Sequence, residues 1–191
     1  TSPWPNAEAV FTYALVPRDK MAFITLNRDE YDAIIATPIE KIVVTSTTHI
    51  PALEALGVEN SLIGFPNTEY ISSEKTRTRI AQNQVQELGN NEAINAEMVI
   101  ALQPDVVAGF SIDNRNKAYN TIQNSNIPVV YNGDWTEETP LGKAEWVKFF
   151  ASFYHLDKKA DSIFSAIETN YASAKQLAMK AKIRPTVLSG A

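Results

Sequence analysis

The chain contains no cysteine. That excludes disulfides, a thiol nucleophile and thiolate metal sites within it, although a disulfide-free chain is acceptable in any compartment. Histidine is nearly as scarce: His49 and His155 stand far apart and in different predicted elements, without the partners a zinc enzyme or a Ser-His-Asp triad requires. Glycine is sparse too, and Gly64, Gly89, Gly109 and Gly133 are isolated, so neither a P-loop nor a dinucleotide fingerprint is present. No apolar run approaches the roughly 18 residues that read as a membrane span, and no basic-then-apolar leader opens the chain. Basic residues are outnumbered 17 to 22, for a net charge of −5, which argues against nucleic acid and against an anionic membrane surface. The chain opens at Thr1 without an initiator Met and stops at Ala191, just after a strand-like run begins at Arg184, so it reads as a piece of a longer protein.

What remains is an ordinary globular composition, 45% hydrophobic over 191 residues, enough for one sizeable core. Val10 to Val16 is rich in β-branched and aromatic residues and predicts a strand, with Met21 to Leu26 as its hairpin partner across a turn at Pro17 to Lys20. Beyond residue 40 the texture changes. Short apolar runs at Lys41 to Thr45, Ser61 to Phe65, Asp105 to Phe110 and Ile127 to Tyr131 read as strands buried on both faces. Between them lie helical segments at Thr48 to Leu56, with Gly57 as its stop, at Asn95 to Leu102 and at Asn116 to Asn124. This alternation predicts an α/β fold, a doubly wound and mostly parallel sheet. Residues 66–94 read as a long polar surface excursion carrying one helix near Ser73 to Gln82, and such loops more often serve binding than packing.

From Leu141 on, aromatic and aliphatic residues recur at helical spacing, with a break at His155-Leu156-Asp157 and Asp157 as the expected cap. A helix from Asp157 to Lys182 would be roughly 39 Å long at 1.5 Å per residue. The organisation expected is therefore an N-terminal hairpin and lead-in (1–40), a lobe (41–140), linker helices (141–183) and the start of a further unit (184–191). His155, in the helix break, reads as a surface residue.

In an open α/β sheet small ligands sit beyond the carboxyl ends of the strands. Those ends carry Thr47 and His49, Phe65 and Tyr70, Phe110 and Ser111, and Trp135. Hydroxyls, amides and aromatic planes without a nucleophile–base pair suit recognition of a bulky, partly apolar ligand rather than bond breaking. Phe110 and Trp135 serve equally as core packing at strand ends, and His49 as a polar group at a helix N-terminus. Arg77 and Arg79 offer planar forks for carboxylate or catecholate oxygens, or else solvated helix charge. Asp113, Asp134 and Glu69 are the strand-end carboxylates, and nothing pairs them for catalysis.

Three signatures occur in order: Ile42-Val43-Val44-Thr45-Ser46 leading to Leu56-Gly57; Asn95, Glu97, Val99, Leu102, Pro104, Asp105 and Val107 in the pattern N-x-E-x-[ILV]-x-x-L-x-P-D-x-V; and Asn126-Ile127-Pro128-Val129 before a long helix. From about Lys41 to Ala191 the chain resembles the periplasmic binding proteins that deliver iron-siderophore complexes, haem or vitamin B12 to ABC importers. The resemblance implies two lobes joined by one long helix, with the ligand held between them and no catalysis. It implies an extracytoplasmic protein with a lipid anchor upstream of this segment, a permease partner, no cofactor of its own, and as ligand an iron complex or a corrinoid. Relatives dock on the permease through a glutamate in the first helix; Pro51 stands there in this chain, with Glu54 one turn later as the candidate. Relatives also place an aromatic before the Asn95 motif, where this chain has Leu88-Gly89-Asn90-Asn91. An α/β enzyme and a sensory domain are the other functions that such a lobe can carry.

Overall fold

In the computed structural model, which describes residues 10–91, 93–109, 116–183 and 185–186, the first strand β1 (Tyr13–Pro17) pairs in parallel with β2 (Ala33–Thr37), Tyr13 facing Ala33. The expected hairpin does not form. Met21 to Leu26 is irregular, and the partner strand is the alternating Ala33-Ile34-Ile35-Ala36-Thr37, whose residues 33, 35 and 37 are buried. A short 3-10 turn at Arg18–Lys20 carries the chain out of β1, so the return runs parallel rather than folding straight back.

The main sheet follows. It is built from β3 (Ile42–Val44), β4 (Leu62–Phe65), β5 (Gln86–Glu87), β8 (Val106–Gly109) and β9 (Val129–Tyr131), all parallel in the order β5-β4-β3-β8-β9. Two further short strands, β6 (Gly89–Asn90) and β7 (Ala93–Ile94), form an antiparallel pair beyond the tip of β5. The stretch read as a polar excursion thus contains an edge strand and a small ribbon. The helices are α1 (His49–Leu56), α2 (Glu74–Ala81), α3 (Ala96–Leu102), α4 (Lys117–Asn124), α5 (Pro140–Glu145), α6 (Val147–Ser152) and α7 (Asp157–Met179). Ser73, Asn95 and Asn116 cap α2, α3 and α4 by accepting amide hydrogens, and Gly57 ends α1 at φ 69°, a conformation glycine adopts without strain.

Strand period explains the layering. On β3, Ile42 and Val44 join a core with α1, α6 and the start of α7, while Val43 faces the opposite core with α3 and α4. Val106 and Ala108 against Val107 repeat the split on β8. Helices therefore cover both faces, as the alternation of elements predicted. The chain winds outward from β3 to β5, then crosses back to β8 on the other side of β3, which makes β3/β8 the point where the winding reverses.

The C-terminal helix α7 holds 23 residues, about 34 Å at 1.5 Å per residue. It starts at the expected residue, but Leu156 is its cap position and Asp157 makes no side-chain capping bond. His155 precedes it in the left-handed region (φ 57°), exposed, with Nε2 2.8 Å from Thr37 Oγ1. Ala160 is buried and Ile163 and Phe164 pack on the core, whereas every residue from 165 to 179 is exposed. The strand expected from Arg184 to Ser189 lies largely outside the described residues.

Candidate ligand-binding site

The carboxyl ends of five parallel strands at ordinary spacing span roughly 19 Å. At the central tip, Thr45 is buried with Oγ1 3.2 Å from the Tyr119 hydroxyl, and Ser46 Oγ meets Thr48 Oγ1 at 2.8 Å. This turn leaves Thr47 and Thr48 exposed above the sheet.

The neighbouring tip is pinned by Glu87. Its Oε1 accepts the Asn67 amide at 2.9 Å and its Oε2 the Thr68 amide at 2.8 Å, with the Thr68 hydroxyl bonded to Oε2 as well. Burial pushes the Glu87 carboxyl up, but the Thr68 hydroxyl and the amides outweigh it and hold the group below the usual carboxylate range. Asn67 sits at φ 55°, its amide also reaching Gly89 O at 2.7 Å, and its side chain accepts Asn91 N–H at 3.1 Å. The product of this bracing is a presented Tyr70, 70% exposed. Phe65, expected beside it, lies instead in the core at 2% exposure, because it occupies an inward position of β4.

At the β9 tip, Asn132 Oδ1 accepts the Asp134 amide at 2.9 Å and Thr136 donates its hydroxyl to Gly133 O at 2.8 Å. Trp135 follows, half-buried in a 3-10 turn. His49 does not reach the rim. It is fully buried beneath the tips, 5.2 Å centroid to centroid from Phe150, with Asn132 and Asp134 beside it. Burial drives its imidazole down to about 4, against smaller opposing effects of Asp134 and Asn132.

The two candidate arginines part company. Arg79 is buried and donates to the carbonyls of Glu59, Asn60 and Leu62 (the last two at 3.1 and 3.0 Å), so its fork ties α2 to the start of β4. Arg77 is exposed and spends one N–H on Ile71 O at 3.0 Å. Glu54 on α1 is half-buried, its Oε1 accepting from the hydroxyls of Ser73 and of Thr76, the latter at 2.8 Å. Phe110, Ser111 and Asp113 lie outside the described residues.

Thr47, Tyr70 and Trp135 thus follow the carboxyl ends of β3, β4 and β9 at positions that are exposed or half-buried, while His49 and Phe65 are buried. The Glu87 brace and the His49–Asn132–Asp134 cluster escaped the sequence reading: both join residues distant along the chain, and only the strand order makes them neighbours. Among the described residues no three His, Cys, Asp or Glu side chains cluster as metal ligands, and no helix is long and apolar enough to cross a membrane.

A model of the periplasmic binding protein family matches residues 42–191. The chain belongs to that family. Membership sets it among extracytoplasmic solute-binding proteins and agrees with the resemblance carried by the Asn95 to Val107 motif. An uncharacterized lipoprotein of Methanocaldococcus jannaschii is 27% identical over 143 residues, covering 72% of this chain and 34% of the relative. The fold is shared with the petrobactin-binding protein YclQ of Bacillus subtilis (TM-score 0.59, 16% identity, 74% of this chain and 48% of that one). It is shared also with the vitamin B12 binding protein BtuF of Vibrio cholerae (TM-score 0.58, 12% identity, 75% and 52%). The chain thus spans about a third of the curated relative and about half of each solved binding protein.

Proposed function

We propose that this chain is the first lobe and connecting helix of a solute-binding protein that captures an iron(III)-siderophore-type complex and delivers it to an ABC-importer permease, without catalysis. The observation that supports the reading is the ledge at the carboxyl ends of the strands, where Thr47, Tyr70 and Trp135 follow β3, β4 and β9, while α7 runs on, exposed, past residue 165. Burial of the ligand's faces against indole and phenol supplies affinity, and hydroxyls fix its orientation. The second lobe would begin near residue 184, and residues 141–183 would join the two. An anionic iron chelate is preferred to a corrinoid because Arg77, exposed in α2 with a single carbonyl bond, offers a guanidinium to catecholate or carboxylate oxygens. A lipid anchor upstream is supported by the lipoprotein relative. Docking on the permease would use Glu54 of α1, half-buried and held by the hydroxyls of Ser73 and Thr76.

The test is a tryptophan-fluorescence titration of the full-length, two-lobed protein with ferric siderophores, haem and cyanocobalamin. Saturable quenching by a ferric siderophore at lower concentration than by cyanocobalamin is expected. Preference for cyanocobalamin would transfer the reading to corrinoid import, and a folded protein that binds none of the three would end it.

A further inference from the structure

A cavity bordered by Thr48 and Asp134, the chain neighbours of Thr47 and Trp135, lies between α1 and the α5–α7 helices, with a volume of about 230 Å³. That is below the roughly 300 Å³ at which pockets for drug-sized ligands begin, so its occupant is small. Its walls are almost wholly apolar, with Ala52 of α1, Ala144, Trp146 and Phe150 of the α5–α6 stretch, and Ile163 of α7. One acid borders it. Asp134 is 8% exposed, and its Oδ1 is buried without a hydrogen bond.

Nothing nearby neutralises that carboxylate. Among the described residues no lysine or arginine forms an ion pair with it; Lys143, at the cavity wall, is exposed and unpaired with it. His49 adjoins it, but complete burial keeps the imidazole neutral near pH 7, so it brings no positive charge. A buried charge without a partner is costly, and the complement of this arrangement is a cation with a compact apolar body. The rings of Trp146 and Phe150 offer apolar surface to the carbon body of the same guest.

We infer that this cavity is a binding site for a small alkylammonium, its nitrogen at the Asp134 carboxylate and its carbon chain against Trp146 and Phe150. The site is separate from chelate capture. Asp134 borders this cavity, whereas Trp135, its neighbour, is not among the residues that line it.

Isothermal titration calorimetry on the full-length protein tests this with n-butylammonium, n-butanol and butyrate as probes. Butylammonium binds at least tenfold more tightly than butanol, and butyrate does not bind. Asp134→Asn weakens butylammonium at least tenfold, and Ala144→Leu, which fills the cavity and leaves the charge in place, does the same. Trp135→Ala leaves butylammonium binding unchanged, which separates this site from the chelate reading. Equal binding of butanol and butylammonium would overturn the inference. So would binding that survives both Asp134→Asn and Ala144→Leu, or no amine binding to the folded protein, the outcome expected where a basic side chain of the second lobe already fills the cavity.

Discussion

Asp105 Oδ2 accepts the amide hydrogen of Lys41 at 2.9 Å, across 64 residues of chain. The same oxygen takes the Glu40 amide at 2.8 Å, and Oδ1 takes Arg18 at 3.1 Å. Lys41 directly precedes β3 and Asp105 directly precedes β8, so one carboxylate aligns the starts of the two central strands and draws in the N-terminal segment. The aspartate of the Leu-x-Pro-Asp motif thus has a structural reason independent of any ligand.

Replacing Asp105 by Ala should lower unfolding stability by about 2–4 kcal/mol, the scale of two amide bonds to a charged acceptor lost together. Burial pushes this carboxyl up, but the two amides and Arg18 outweigh it and hold the group below the ordinary carboxylate value. A folded value below the unfolded one means the stabilisation is complete above the unfolded pKa and disappears as pH falls through the folded one. Urea unfolding at pH 6 and pH 3 should therefore show a smaller pH effect in Asp105→Ala than in the parent protein. Equal losses would remove Asp105 from this role.

His49 also costs the fold stability in acid, but for a different reason, the burial of a neutral ring rather than the binding of a charged group. Its folded value, about 4, lies below the unfolded value of about 6.5 because burial disfavours the imidazolium. Between those pH values the unfolded chain takes up a proton that the folded chain refuses, so stability is full above the unfolded pKa and falls as pH drops toward 4. The loss is on the order of 3 kcal/mol. His49→Leu should flatten the stability profile between pH 7 and pH 4.5. A slope as steep as the parent's would show that some other group carries it.

Arg77 and Arg79, two residues apart on α2, should respond differently to truncation. Arg79→Ala strands the carbonyls of Glu59, Asn60 and Leu62 and should cost at least about 2 kcal/mol, read as a lower urea midpoint. Arg77→Ala removes an exposed group with one carbonyl bond and should change stability by less than about 1 kcal/mol. Comparable losses in both variants would contradict the separation of roles.

Much of the sheet was legible because its strands are buried on both faces and announce themselves as apolar runs: Ile42–Val44, Leu62–Phe65, Val106–Gly109 and Val129–Tyr131 all fall inside predicted segments. The caps Ser73, Asn95 and Asn116 marked their helices in the same local way. Local signals failed where pairing is set by distant residues. β2 was passed over because Met21 to Leu26 has the β-rich composition of a strand, yet the buried alternation belongs to Ala33–Thr37. The two-residue strands β5, β6 and β7 are too short to carry a period at all. At the strand ends, sequence does not say which side chain at a tip turns inward, and so it grouped the buried Phe65 with the exposed Tyr70 and the buried His49 with the exposed Thr47.

That inward turn yields the sharpest comparison, between Trp135 and Phe65. Trp135→Ala in the full-length protein should weaken chelate binding by about 1 kcal/mol or more, roughly fivefold, the scale of a lost aromatic contact. Its stability should fall by less than that of Phe65→Ala, since Trp135 is half-buried and outside the core clusters. Phe65→Ala removes a ring that is 2% exposed inside the core and should cost about 3–5 kcal/mol of stability. Whatever fraction of that variant still folds should bind the chelate with the parent's affinity, because the ring never reaches the ledge. Parallel fluorescence titrations and urea curves on both variants read the two effects independently. Undiminished binding in Trp135→Ala retires that indole as a ligand contact, and weakened binding in folded Phe65→Ala would mean that the β4 tip opens to the ligand in the complete protein.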